Sequence, residues 1–203
     1  VKRRTRAVSA ALLVSSLAAS SLLVSGCGST NAGTAATVGS ETISEAQLTD
    51  WTQGVLVATG KSPNAIEEQV TSNSLNLLIF LDLLDGLAAA VGATASQGEI
   101  DAAGLSLLQG GATEKDVEAS AAQAGIAPDQ VPAFLRANVL TPKIQEILAP
   151  GASAEEQQAI FQQALVTTAN ELGVTVNPRY GSWNPDSIQL GAPPSDLSIP
   201  PAD

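Results

Sequence analysis

The chain contains no histidine, no methionine, a single cysteine, and six aromatic side chains (three Phe, two Trp, one Tyr) among 203 residues. Each shortage excludes something. Without histidine the commonest general base and a common metal ligand are missing. Ser-His-Asp and Cys-His arrangements therefore cannot be assembled from this chain alone. One cysteine rules out an internal disulfide. Basic residues are scarce as well: nine Lys and Arg stand against 20 Asp and Glu, a formal charge of −11. Lys2, Arg3, Arg4 and Arg6 crowd the start, so the residues after Gly26 carry five basic and 20 acidic side chains, a formal charge of −15. Phosphate backbones repel so acidic a body, and no nucleic-acid partner is expected. Anionic lipid repels it too, so a hold on a membrane needs more than charge. Phosphate and metal signatures are also missing. "QGG" (109–111) and "GVTVNPRYG" (173–181) match neither GxGxxG nor a P-loop. No loop has EF-hand spacing, and Lys61, Lys115 and Lys143 show no Ser-x-x-Lys spacing. The sequence is read as that of a non-enzyme, with no cofactor and no metal.

What is present begins with an address. "VKRRTR" is a positive n-region, and "AVSAALLVSSLAASSLLV" (7–24) is an apolar stretch of small residues, the pattern of a secretory signal. Ser9, Ser15, Ser16, Ser20 and Ser21 dilute it, which makes it a poor membrane span. Leu23-Val24-Ser25-Gly26-Cys27 then resembles the lipobox of bacterial lipoproteins. That resemblance implies cleavage before Cys27, a diacylglyceryl thioether on its sulfur, and anchorage in the lipid bilayer on the extracytoplasmic face of the cell membrane. Two or more acyl chains hold a protein stably where one does not. "GSTNAGTAAT" (28–37) is small, polar and uncharged, as a flexible tether would be.

The body reads as helices. "ATVGSETIS" (36–44) predicts a strand, a turn at Gly39 and a return. Ser44-Glu45-Ala46-Gln47, Ser96-Gln97-Gly98-Glu99, Thr113-Glu114-Lys115-Asp116 and Ser153-Ala154-Glu155-Glu156 are capping-box patterns that open helices. The first carries Leu48, Trp51 and Val55 and ends at Gly60. Ser62-Pro63 predicts the longest helix, 63–91, with Ile66, Val70, Leu77, Leu81, Leu84, Ala88 and Val91 on its buried face. Pro142 predicts a break between helices near 129–140 and 142–148. Residues 174–183 alternate and are expected to pair with the strand near Thr37–Gly39, while 184–203 is Pro-rich without helical period. The expected organisation is a signal at 1–26, acylated Cys27 and tether at 27–36, a helical body at 37–183, and an extended tail at 184–203.

The opening "ATVGSETISEAQL" and the closing "VNPRYGSW" (176–183) together resemble the two ends of SurA/PrsA-type extracytoplasmic foldases. The resemblance covers about 36–183. It implies a mainly α, multi-helix SurA N-terminal-like domain with a small β pair joining its two ends. Foldases of the PrsA kind carry an inserted parvulin isomerase domain, and here the corresponding place is the short turn Ala149-Pro150-Gly151-Ala152. What the resemblance implies is thus the chaperone module without the isomerase: a membrane-anchored, non-catalytic holder of unfolded or newly secreted polypeptides. The alternative is a structural or adaptor lipoprotein that docks a folded envelope protein. Trp51, Phe80, Phe134, Phe161 and Tyr180, scarce large side chains in an Ala/Leu-rich protein, are the candidate peptide-binding residues, with core packing as the competing reading. Asp82 and Asp85, three apart on one helical face, could form an acid/base pair. They are read instead as a solvated stripe opposite Leu81, Leu84 and Ala88.

Overall fold

The computed structural model describes residues 33–109 and 111–193. The leader at 1–26, Cys27, the start of the tether and residues 194–203 of the tail lie outside the described residues. The body is mainly α-helical with small antiparallel β elements. Strands β1 (Thr34–Val38) and β2 (Glu41–Ser44) lead into helices α1 (Glu45–Ala58), α2 (Glu68–Val91), α3 (Gln97–Leu108), α4 (Glu114–Gln123), α5 (Val131–Leu148) and α6 (Ala154–Leu172). Strands β3 (Val174–Val176), β4 (Ser182–Asn184) and β5 (Gln189–Gly191) follow.

β1 and β2 form a hairpin whose two-residue turn uses Gly39 at φ +59°, the conformation such turns demand. β3 joins the other edge of β1, antiparallel, with Ala36 opposite Val176 and Val38 opposite Val174. The two ends of the body therefore meet in one three-stranded sheet of order β2-β1-β3. β1 starts inside the stretch expected to be tether, and Ala35 and Ala36 are buried. Small side chains there let the sheet lie close on α2.

The capping carboxylates act as the sequence requires. Glu99 accepts from the Ser96 N–H at 2.9 Å, Asp116 from the Thr113 N–H at 2.8 Å, and Glu156 from the Ser153 N–H at 3.0 Å. Each bond favours the ionised form. Asp116 and Glu156 are held below the usual carboxylate range by these backbone bonds and by their cap hydroxyls. Glu99 is lowered to about 2, chiefly by its bond with Lys143 and then by Ser96. Lys143 also donates to the Thr94 carbonyl at 2.8 Å, which ties α5 to the entry of α3.

α2 is the central element, touching α1, α5, α6 and β1. It is long and apolar enough to cross a membrane by length and composition, yet here it forms the middle of the core. Its buried residues are Ser74, Leu75, Leu78, Ile79, Leu83, Leu84, Leu87 and Ala88. The expected face is displaced: Leu77 and Leu81 are only partly buried against that core. α2 is apolar nearly all round, so its period does not select a face. Its neighbours do.

Two boundaries differ from expectation. α2 begins at Glu68, not at 63; Ser62–Glu67 is a non-helical segment, and Ile66 stands 93% exposed. Pro142 sits inside a continuous α5. A proline removes the bond to the carbonyl four residues back, here that of Asn138, and both residues lie on the exposed face. Ala137, Leu140 and Ile144 are buried on the other side. Water can serve the orphaned carbonyl while core packing holds the helix together. The body also runs past Trp183: β4 and β5 pair as a hairpin, with Trp183 opposite Leu190. The Asn76 side-chain oxygen accepts the Leu190 N–H at 2.9 Å, fastening the hairpin to α2. At its turn the buried Ile188 takes φ +53°, a backbone state costly for a β-branched residue.

Candidate functional site

α1 turns Leu48, Thr52 and Leu56 to one side, and these make the floor of a groove of about 880 Å³. One wall is the segment between α1 and α2. α1 stops because Thr59 Oγ1 donates to the Val55 carbonyl at 2.8 Å and Gly60 turns the chain at φ +77°. Lys61 returns its N–H to the Leu56 carbonyl at 2.8 Å, closing the helix end. Pro63, with no N–H to give, cannot extend the turn pattern, and the chain passes through Ile66 before α2 starts. An ion pair of 2.9 Å between Lys61 and Glu67 spans this segment.

The opposite wall comes from the far end of the chain. After β3, Asn177 fixes a turn: its amide donates to the Thr34 carbonyl at 3.2 Å and its side-chain oxygen accepts the Arg179 N–H at 3.2 Å. The Tyr180 N–H donates to the Asn177 carbonyl at 2.9 Å. Arg179 reaches Glu45 at 3.0 Å, and Tyr180 faces the groove. Leu190 to Pro193 complete this wall. The surface thus offers aliphatic, proline and aromatic contacts, with Glu67, Glu68 and Arg179 at the rim. It suits an extended apolar segment. On the floor Thr52 is 8% exposed, and its hydroxyl has no hydrogen-bond partner among the described residues.

The five aromatic candidates do not come together. Trp51 is 3% exposed and donates its indole N–H to the Gly125 carbonyl at 2.9 Å. Phe161 is 2% exposed. Both are core residues with no face to offer a client, which corrects the expectation for them. Phe80 and Phe134 are partly buried against the core and do not line the groove. Tyr180 alone of the five lines it. Leu48, Leu56, Ile66 and Leu190, its aliphatic lining, were missed or read as helix-face residues. The Ser62-Pro63-Asn64 run was the available signal, since it opens a turn as readily as a helix.

The acidic pair also divides. Asp85 is exposed and ion-paired with Arg136. Asp82 is half-buried, and its pKa is raised to about 6, first by burial and then by Asp85 and Glu41. A solvated stripe describes Asp85 and not Asp82. Among the described residues no three Asp, Glu, His or Cys side chains converge as a metal site would require. Comparison with protein-family models, curated proteins and solved structures finds no match to this chain.

Proposed function

We propose that the protein is a non-catalytic, chaperone-like holder of extended polypeptide segments, moored outside the cell membrane through an acylated Cys27. The observation that supports it is the groove: an open cleft of about 880 Å³, floored by the buried Leu48 and Leu56, that presents Tyr180 and Leu190 together with a 93% exposed Ile66. An isoleucine so exposed contributes nothing to the fold, whereas covering it with a client returns roughly 1.5–3 kcal/mol. Binding by such a surface is apolar, weak and tolerant of sequence. The acidic body stays soluble and repels its own copies. A lipid tether keeps the groove where secreted chains emerge, raising its effective concentration. The reading also rests on the likeness of the two end motifs to SurA/PrsA-type foldases, carried by short stretches of sequence.

The test uses the full chain after Cys27 with Cys27→Ser and a chemically denatured client. Equimolar protein should suppress client aggregation, and Ile66→Glu should weaken client affinity about tenfold, the loss of one buried apolar contact. Full aggregation in the presence of the unaltered groove would overturn the reading.

The adaptor reading has one observation of its own. α3 has no buried residue, and Leu105 and Leu107 stand 61% and 48% exposed. A crosslinker placed at Leu105 in intact envelopes should trap one discrete species if α3 docks a folded partner, and a smear of clients if it does not.

A further inference from the structure

We infer that the groove selects extended apolar segments that carry a lysine or arginine beside the apolar run, and that Glu68 makes the selection. The inference rests on the holder reading above and adds the chemistry of the client. Three charged side chains line the groove: Glu67, Glu68 and Arg179. Two of them are matched within the protein. Glu67 pairs with Lys61 at 2.9 Å, and Arg179 with Glu45 at 3.0 Å. Glu68 is exposed and joins no ion pair among the described residues. With the two pairs cancelled, one carboxylate is left over on the wall.

Its position suits the task. Glu68 is the first residue of α2 and stands two residues beyond Ile66, which is 93% exposed. Two residues span at most about 7 Å of chain, so a segment lying over Ile66 runs close to Glu68. A lysine or arginine fits such a place: its stem packs on apolar surface and its charged head stays at the rim. The rest of the body pulls the same way. The residues after Gly26 carry five basic against 20 acidic side chains. Lys61, Arg136, Lys143 and Arg179 are held in ion pairs, and Lys115 lies on α4, outside the groove lining. A cationic segment is therefore drawn in on approach and met by Glu68 at contact, while an anionic one is repelled at both stages. The order of apolar residues stays free; the flanking charge does not. An ion pair at an exposed rim changes affinity by about threefold.

The experiment titrates the Cys27→Ser chain into three fluorescent peptides and follows anisotropy. The peptides are acetylated and amidated, share one Val/Leu/Ser core, and carry Lys, Gln or Glu at both ends. At low salt the Lys peptide should bind about threefold tighter than the Gln peptide, and the Gln peptide about threefold tighter than the Glu peptide. Glu68→Lys should reverse that order while the Gln peptide keeps its affinity within about twofold. Glu155→Lys makes the same change of net charge from an exposed place on α6, outside the groove lining, and should leave the order as it is. The readout is a ratio between clients, which the favourable place of a carboxylate at a helix start does not alter. Equal binding of the three peptides overturns the inference and leaves the holder reading standing, and so does an order that Glu155→Lys changes as much as Glu68→Lys. Failure of all three peptides to bind overturns the holder reading and the inference with it.

Discussion

Replacing Asp82 by Asn should stabilise the protein at neutral pH and leave it unchanged in acid. Asp82 lies on α2 one turn before Asp85 and faces Glu41 of β2. Burial first, and those two carboxylates second, raise its pKa from 3.8 to about 6. A carboxyl whose folded pKa is raised binds its proton more tightly folded than unfolded. Above about pH 6 both states are ionised, and the folded state bears the cost of the charge. As pH falls from 7 to 4 the folded state takes up the proton first, so this group's contribution to stability grows. Below 3.8 both states are protonated and the contribution is constant.

A shift of about two units corresponds to roughly 3 kcal/mol at 1.36 kcal/mol per unit. The side chain is half open to water, which screens both repulsions, and about 1 kcal/mol is the expected size. Asn keeps the shape and removes the charge. Urea unfolding followed by fluorescence of the buried Trp51 should give a gain of about 1 kcal/mol for Asp82→Asn at pH 7.5, with unchanged m, and no gain at pH 4. A gain of equal size at both pH values would refute the electrostatic argument, and so would none at pH 7.5.

The other predictions follow from the same contacts. Glu99, Asp116 and Glu156, all with lowered pKa values, contribute stability that is present above their ordinary values, 4.5 for the two glutamates and 3.8 for Asp116, and lost as pH falls through the lowered ones. Opposed to Asp82, they place the wild-type optimum between about pH 4.5 and 6, and an acid–base unfolding series should show it. Gly54→Ala should cost about 1–3 kcal/mol, because the new Cβ would stand 2.9 Å from the Cβ of Ala127, itself fully buried. Gly86→Ala should be close to neutral by thermal melting: its nearest contact is the mobile tip of Leu172, and the gain in helix propensity of about 1 kcal/mol offsets the adjustment. Pro142→Ala restores a donor to the Asn138 carbonyl and should stabilise α5 by about 1 kcal/mol or more in chemical unfolding.

Local chemistry was legible in the sequence, and choices made by packing were not. Ser96–Glu99, Thr113–Asp116 and Ser153–Glu156 announce helix starts because all the partners lie within four residues. Gly39 and the alternation after Gly173 announce the sheet that joins the ends. The start of α2 was misread because Pro63 is equally at home in a turn, and nothing within Ser62–Glu67 decides between them. The continuity of α5 through Pro142 was misread for a related reason: the cost of the proline depends on whether Asn138 faces water, a fact of packing. Asp82 and Asp85 look alike in "LDLLDG", yet β2 approaches one and Arg136 the other.

The aromatic candidates went astray for a reason that bears on function. In a body of Ala and Leu, six aromatic side chains are the main means of filling large interior gaps. Trp51 and Phe161 are therefore drawn inward, into the core. Exposed aliphatic residues at an interruption between helices are the better marker, and Ile66 is the case in point. The groove they mark is assembled from residues 48–72, 179–180 and 190–193, segments that no local rule brings together. Two attachments do it: β3 on β1, which positions Arg179 and Tyr180, and the Asn76–Leu190 bond, which holds the β5 wall to α2. Both are backed by the core: β3 as a sheet edge, and the hairpin through the buried Ile188, with Trp183 and Leu190 packed beside it.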